Sequence, residues 1–353
     1  MSSIRQIKVG GVAIGGGAPV TVQSMTTTQT ADVDATVAQI LALEEAGCDL
    51  SRSAINSKAD AEAIPLIKER THIPLIADIQ FDAQLALWAV EYGCDCLRIN
   101  PGNIGDDDRL APVVQACRKK NIPIRVGVNS GSLPQEMIDR YYGVNEESLV
   151  HAALAEVERV ERLGWDQIKV SIKSSDVMTM IGAYELFSTL SDYPLHLGVT
   201  EAGPPFTGTI KSAIGIGTLL SQGIGDTIRV SLTGDVVDEV RVGREILKAL
   251  GLRHDGINLI SCPTCARTKL NLVGLVEAAE KALSTCHKPL TVAIMGCPVN
   301  GPGEAREADI GVAGGNGYGV LFKKGKVLRQ VPEEALLSSL LDEIAQMDDA
   351  YEV

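Results

Sequence analysis

The chain has 353 residues, of which 45% are hydrophobic, 4% aromatic and 35 glycine, enough for one large domain and a smaller one. Its formal net charge of −13 argues against a broad nucleic-acid-binding surface, so local clusters of Arg and Lys carry more meaning than usual. An N-terminal apolar signal core and an apolar run of membrane-spanning length are both missing, which predicts a soluble cytoplasmic protein.

From residue 19 to residue 232 one grammar repeats: a short run rich in Val and Ile ends in polar residues, and an amphipathic stretch follows. The apolar runs are 19–25, 48–55, 73–80, 96–100, 122–129, 167–173, 194–200 and 227–232. The amphipathic stretches are 34–46, 59–70, 83–92, 110–120, 148–163, 178–191, 210–221 and 237–250. Eight alternating strand–helix units predict an α/β protein with an N-terminal (β/α)8 TIM-type barrel. A doubly wound sheet is the alternative, but no glycine-rich fingerprint follows the first run. After Gly251 the grammar changes. Strands are predicted at 256–261, 290–296, 310–313 and 318–331, the last with a turn at 323–325, and helices at 268–284 and 332–347. The chain is therefore expected to divide into a barrel, residues 1–252, and a small α+β domain, residues 253–353.

The small domain carries the most specific motif. Of the eight cysteines, Cys48, Cys94, Cys96 and Cys117 lie in apolar surroundings and read as core residues, and Cys286 at a predicted helix end reads as incidental. The other three are the ends of Cys262-Pro263-Thr264-Cys265 and Cys297, 32 positions further on. Cys297 opens the stretch Cys297-Pro298-Val299-Asn300-Gly301-Pro302-Gly303-Glu304. A CxxC pair alone is compatible with zinc, redox chemistry or chance. Three thiolates with a carboxylate, Glu304, make a poor closed zinc site, because structural zinc uses Cys and His. No His lies nearby, since His287 precedes the apolar run before Cys297. The same set suits an iron–sulfur cluster with one weakly held corner, which substrate could displace.

In a barrel, chemistry sits at the C-terminal ends of the strands and in the loops after them. These ends supply residues 23–26, Arg52, Asp78 and Gln80, Arg98 and Asn100, Arg125 and Asn129, Lys169 and Lys173, Thr200 and Glu201, and Arg229 with Ser231. A single Arg there reads as a rim salt bridge. Several Arg and Lys converging on one mouth call for an anionic ligand, and Arg matches phosphate oxygens in bidentate fashion. Glycine-rich turns at residues 100–103 and 130–132 add backbone donors, so the pattern predicts a diphosphate pocket. Glu201 reads either as a loop carboxylate paired with one of the arginines or as a proton donor at the reacting carbon. His196 reads as a hydrogen-bonded core histidine.

Several segments together resemble the 4-hydroxy-3-methylbut-2-enyl diphosphate synthase family. They are residues 22–26, 97–103, 125–129, 173–176, 197–203, 228–231, 262–265 and 300–305, and the resemblance runs along nearly the whole chain. It implies reductive ring opening and dehydroxylation of 2-C-methyl-D-erythritol 2,4-cyclodiphosphate in isoprenoid biosynthesis, with two electrons passing through a [4Fe–4S] cluster. It implies that Cys262, Cys265, Cys297 and Glu304 hold the cluster, that Arg52, Arg98, Asn100, Arg125, Asn129, Lys173, Arg229 and Ser231 bind substrate, and that Glu201 and Glu304 are catalytic. A flavodoxin or ferredoxin would donate the electrons. The protein would be a homodimer, with the barrel mouth of one subunit facing the cluster domain of the other. This chain departs from the family pattern at Gln80, where His is usual; Gln hydrogen-bonds but does not titrate. It departs again at Ser51 and Ser53, where apolar residues usually flank the Arg, and two hydroxyls in a barrel wall need partners. Two other readings share some of these features: a phosphate-ester lyase or synthase barrel with a structural zinc domain, and an electron carrier or iron sensor whose barrel is a scaffold.

Overall fold

Gly10, at a φ of +56° that favours glycine, turns the chain at its N-terminus and folds Gln6–Val9 (β1) back on Val12–Gly15 (β2) as an antiparallel hairpin. The computed structural model describes residues 3–284, 286, 288–297, 303 and 305–347. Eight parallel strands follow the hairpin: Thr21–Met25 (β3), Leu50–Ala54 (β4), Leu75–Asp78 (β5), Cys96–Ile99 (β6), Ile124–Asn129 (β7), Ile168–Lys173 (β8), His196–Leu197 (β9) and Thr227–Ile228 (β10). They pair in the order β8-β7-β6-β5-β4-β3-β10-β9, and a parallel bridge between Val170 of β8 and Leu195, just before β9, closes the ring. This is the predicted barrel. Every main crossover helix except Pro205–Ser221 begins on a side-chain cap, for example Asp32, Ser57, Asp176 and Asp235. Each cap contributes about 1 kcal/mol and fixes where the helix starts behind its strand.

The barrel strands read the same way from β6 to β8. In Ile168-Lys169-Val170-Ser171-Ile172-Lys173 the apolar residues fall on one face and the polar ones on the other. Ile168, Val170 and Ile172 join Leu97, Ile99, Ile124 and Val126 in the core between sheet and helices. The alternate face, turned to the barrel axis, is mostly polar or charged in its middle and upper layers. That differs from barrels whose interior is filled by branched apolar side chains. Only the floor is apolar: Ile7, Val9 and Ile14 of the hairpin pack against Leu50, Ile76 and Cys96, the inward residues at the starts of β4, β5 and β6. Cys48, Cys94 and Cys117 are likewise buried.

The chain divides into two compact units at Leu252/Arg253. The second holds one sheet of order β11-β12-β13-β14-β15. Its strands are Asn258–Ser261 (β11), Thr291–Met295 (β12), Ile310–Gly314 (β13), Tyr318–Lys323 (β14) and Lys326–Pro332 (β15). The first three are parallel and the last two antiparallel. Helices Leu272–Leu283 and Leu336–Gln346 cover it with Leu272, Leu283, Leu336 and Leu340 against Val292, Ile294, Val312 and Leu321. Among the described residues no helix is long and apolar enough to cross a membrane.

Candidate functional site

Register alone assembles much of the barrel mouth. The pairs Asp78–Arg98, Arg98–Arg125 and Arg125–Lys169 set one carboxylate and three cations side by side on β5, β6, β7 and β8. Arg98 Nη1 donates to Asp78 Oδ1 at 3.0 Å, and Arg52 Nε lies 3.9 Å from Asp78 Oδ2. Arg52 also directs Nε and Nη2 at Met25 Sδ, 3.2 and 2.8 Å away. Arg125, 1% exposed, donates Nε and Nη2 to Ser171 Oγ at 3.2 and 3.0 Å. Gly127 makes room for Arg98: a Cβ there would stand 3.1 Å from Arg98 Nε. Gly198 does the same for Lys173, whose Nζ would lie 2.9 Å from an added Cβ.

Burial and mutual repulsion shape the electrostatics. Burial first, then Arg125, Arg229, Arg52 and Arg98, holds the Lys173 ammonium well below its ordinary value. Burial, with Arg52 and Arg98 next, does the same to Arg125. Arg52 is lowered to about 10 and Lys169 to about 8, each chiefly by burial. Burial would raise Asp78, but Arg52, Arg98 and Arg125 outweigh it and keep the carboxylate charged. Arg98 Nε, Arg125 Nη1, Lys169 Nζ and Arg229 Nε are buried without a hydrogen-bond partner. Cations in this state gain most from an anion that brings several oxygens at once.

The structure thus gathers Arg52, Arg98, Arg125, Lys173 and Arg229 about one mouth. Asn129 ends β7 in register with Lys173, half-buried, and Asn100 follows β6, 7% exposed. Ser231 is half-buried three residues past β10. Glu201 is exposed and makes no ion pair with the arginines among the described residues. Its φ of +53° is uncommon for a residue with a side chain, and such strain recurs at functional sites. Gln80 Nε2 donates to Asp78 Oδ2 at 3.3 Å, so it touches the carboxylate that orders Arg98. Both barrel-wall hydroxyls have partners: Ser51 Oγ donates to Pro74 O at 3.0 Å, and Ser53 Oγ pairs with Thr26 Oγ1 at 2.9 Å. His196 is fully buried with Nδ1 on Thr227 Oγ1 at 2.6 Å. Glu239, on helix Val236–Ala249, contacts Arg229 from outside the strand ends. Sequence reading missed it, since an acidic residue in the first turn of a helix resembles an ordinary solvated one.

In the second unit, Cys262 follows β11 and Cys297 follows β12, and these strands are parallel neighbours with Ser261 paired to Ile294. The backbone NH of Gly296 donates to Cys262 Sγ at 3.1 Å, so both cysteines lie at one end of the sheet. Cys297 is buried, Cys262 half-buried and Cys265 exposed. The Cys265 thiol is pulled below its usual value by hydrogen bonds from the Arg267 backbone and side chain. Among the described residues no three Cys, His, Asp or Glu side chains converge as they would on a single metal ion. Glu304 lies outside the described residues. Cys262 and Cys297 at adjacent strand ends, with Cys265 in the loop after the first, offer the soft thiol donors that an iron–sulfur cluster uses.

The barrel region matches the GcpE TIM-barrel domain over residues 4–244, and the second unit matches the GcpE protein C-terminal domain over residues 258–346. The chain belongs to the GcpE family. Its family relatives include the 4-hydroxy-3-methylbut-2-en-1-yl diphosphate synthase (flavodoxin) of Geobacter sulfurreducens, 55% identical over 97% of both chains. The enzyme of the same name from Caldanaerobacter subterraneus is 56% identical over 97% of both. That of Desulfotalea psychrophila is 50% identical over 99% of this chain and 97% of its own. Among solved structures, Clostridium difficile type I 3-dehydroquinate dehydratase aligns with a TM-score of 0.51 at 15% identity, over 70% of this chain and 97% of that one. Plasmodium falciparum HPPK-DHPS aligns at 0.52 and 12%, over 70% of this chain and 48% of that one. These two share the barrel fold with the GcpE family and say nothing further.

Proposed function

We propose that this chain converts 2-C-methyl-D-erythritol 2,4-cyclodiphosphate to 4-hydroxy-3-methylbut-2-enyl diphosphate, by reductive ring opening and loss of a hydroxyl, in isoprenoid biosynthesis. The observation that carries this is the mouth itself. Arg52, Arg98, Arg125, Lys173 and Arg229 surround it with Asp78 and Glu239 as their carboxylate partners, which leaves a net positive, largely dry pocket of the kind a diphosphate fills. Residues 1–252 bind the substrate. In residues 253–353, Cys262, Cys265, Cys297 and Glu304 would hold a [4Fe–4S] cluster, which would pass two electrons, one at a time, from the external donor and offer a Lewis-acidic iron. A flavodoxin, as in the names of the relatives, or a ferredoxin donates the electrons. The working form is a cytoplasmic homodimer.

The chain's own residues do the rest. Arg98, Arg125 and Arg229 present unpartnered N–H groups to phosphate oxygens, and Asn100, Asn129, Lys173 and Ser231 complete the cradle. Burial strengthens each contact by excluding water. Glu201, next to the mouth on a strained backbone, holds the proton that leaves with the hydroxyl as water. Gln80 orders phosphate-binding groups through Asp78, a task that needs a hydrogen bond and no titration.

An anaerobic absorption and EPR spectrum, with and without dithionite and the cyclodiphosphate, tests the reading. A brown protein whose reduced signal changes on adding the cyclodiphosphate supports it. A colourless protein that binds stoichiometric zinc after iron–sulfide reconstitution would replace it with the lyase or synthase barrel carrying a structural zinc.

A further inference from the structure

Glu239 lies on helix Val236–Ala249, behind the strand ends, and is 3% exposed. Its carboxylate accepts from three residues, two on the segment after β10 and one on β3. Arg229 Nη2 lies 3.3 Å from both oxygens, the backbone NH of Leu232 donates to Oε1 at 3.0 Å, and Ser24 Oγ on β3 donates to Oε2 at 3.2 Å. Arg229 and Leu232 bracket Ser231, so one side chain anchors both ends of the short segment that carries two of the candidate substrate ligands. The Arg229 backbone NH is tied to Leu197 O at 2.9 Å, which leaves the side chain as the part that needs steering. With Nη2 taken by Glu239, Nε is buried and has no partner.

We propose that Glu239 is a positioning residue for diphosphate binding: it holds the Arg229 guanidinium by one edge, so that the remaining N–H groups face the incoming phosphate, and fixes the loop that presents Ser231. This rests on the diphosphate reading of the mouth. A free Arg side chain samples many rotamers, and its ordering would otherwise be charged against binding. A carboxylate that has already ordered the fork removes that cost, much as outer-shell carboxylates orient the histidines of metal sites. The buried carboxylate is itself satisfied by one guanidinium and two neutral donors, so its place does not depend on substrate.

The test is a double-mutant cycle on the oxidised, cluster-loaded enzyme without reductant, titrated with the cyclodiphosphate by calorimetry. Glu239→Gln keeps the size but loses the charge and one of the two accepting oxygens; it should weaken binding roughly tenfold, the low end for residues that orient a ligating group. Arg229→Met should weaken it at least as much, and the double variant should bind no worse than Arg229→Met alone. In turnover the KM of Glu239→Gln should rise by the same factor while kcat holds. Unchanged affinity in Glu239→Gln, or losses that multiply in the double variant, would overturn the proposal. A fall in thermal midpoint with unchanged affinity would make Glu239 a structural brace and also overturn it. Should the Gln variant not fold, Glu239→Asp, which keeps the charge but retracts it from Arg229, is read by the same criteria. A wild-type enzyme that fails to bind the cyclodiphosphate would instead remove the reading of the mouth, and this inference with it.

Discussion

Lys169 makes the mouth sensitive to pH. It is fully buried, its Nζ has no hydrogen-bond partner, and burial together with Arg125 and Arg52 lowers it from 10.5 to about 8 while Cys96 opposes the shift. Below about pH 8 it is charged in both the folded and the unfolded chain, and the folded state carries the cost of that burial. Between about 8 and 10.5 the unfolded chain binds a proton the folded one has released, so stability from this group rises with pH across the window. Lys169→Met should therefore raise the thermal midpoint more at pH 7 than at pH 10. The cyclodiphosphate acts in the opposite direction, because its negative charge favours the ammonium. Its affinity should fall as pH rises past about 8, and Lys169→Met should flatten that slope; an unaltered slope would assign the titration to another group. Asp78→Asn leaves Arg98 and Arg52 without their carboxylate and should cost about 3–5 kcal/mol in denaturant unfolding, part of it recovered by added substrate. Glu304→Cys should keep a brown cluster and lose turnover, because a fourth thiolate would not yield to substrate; full activity would refute a displaceable ligand. The cations themselves could be read from the chain, since Ile168-Lys169-Val170-Ser171-Ile172-Lys173 writes both faces of a strand in alternation. Their partners could not. Ser24, Arg229 and Glu239 meet only after the ring closes, and no spacing rule links them.

Among the elements, the hairpin β1–β2 escaped the sequence reading, although Ile7, Val9 and Ile14 alternate about Gly10 and Gly11 as hairpin strands do. Its role is to floor the barrel. Ile14→Ala should cost about 2–5 kcal/mol and open a path to Cys96, so a thiol reagent that spares the native Cys96 should label it in the variant. The strands β9 and β10 are only two residues each, against predicted runs of seven and six. The rest of each run leaves the regular strand to carry Gly198, Arg229 and Ser231, with Glu201 just beyond, and propensity does not distinguish backbone that pairs from backbone that presents a ligand. Helix Pro205–Ser221 starts earlier than its periodicity suggested, because a proline in the first turn, which usually punctuates, suits that position.

For the whole molecule, the two units have separate apolar cores. Residues 1–252 expressed alone should give a colourless protein that binds the cyclodiphosphate, and residues 253–353 should take up iron and sulfide without binding it. Cyclodiphosphate binding lost from the isolated barrel would mean the mouth is incomplete within it. The eight-unit alternation sufficed to identify the fold class because each helix covers the apolar face of its own strand, a local relation that sequence order preserves.

A barrel whose axis is lined by like charges has a history that depends on its metabolite. Without the diphosphate, Arg125, Lys169 and Lys173 repel one another in a dry interior; with it, that repulsion becomes attraction. Mass action then adds about 2.7 kcal/mol at a hundredfold excess over Kd. Enzyme without substrate should open more often, so added cyclodiphosphate should slow its cleavage by a protease in vitro.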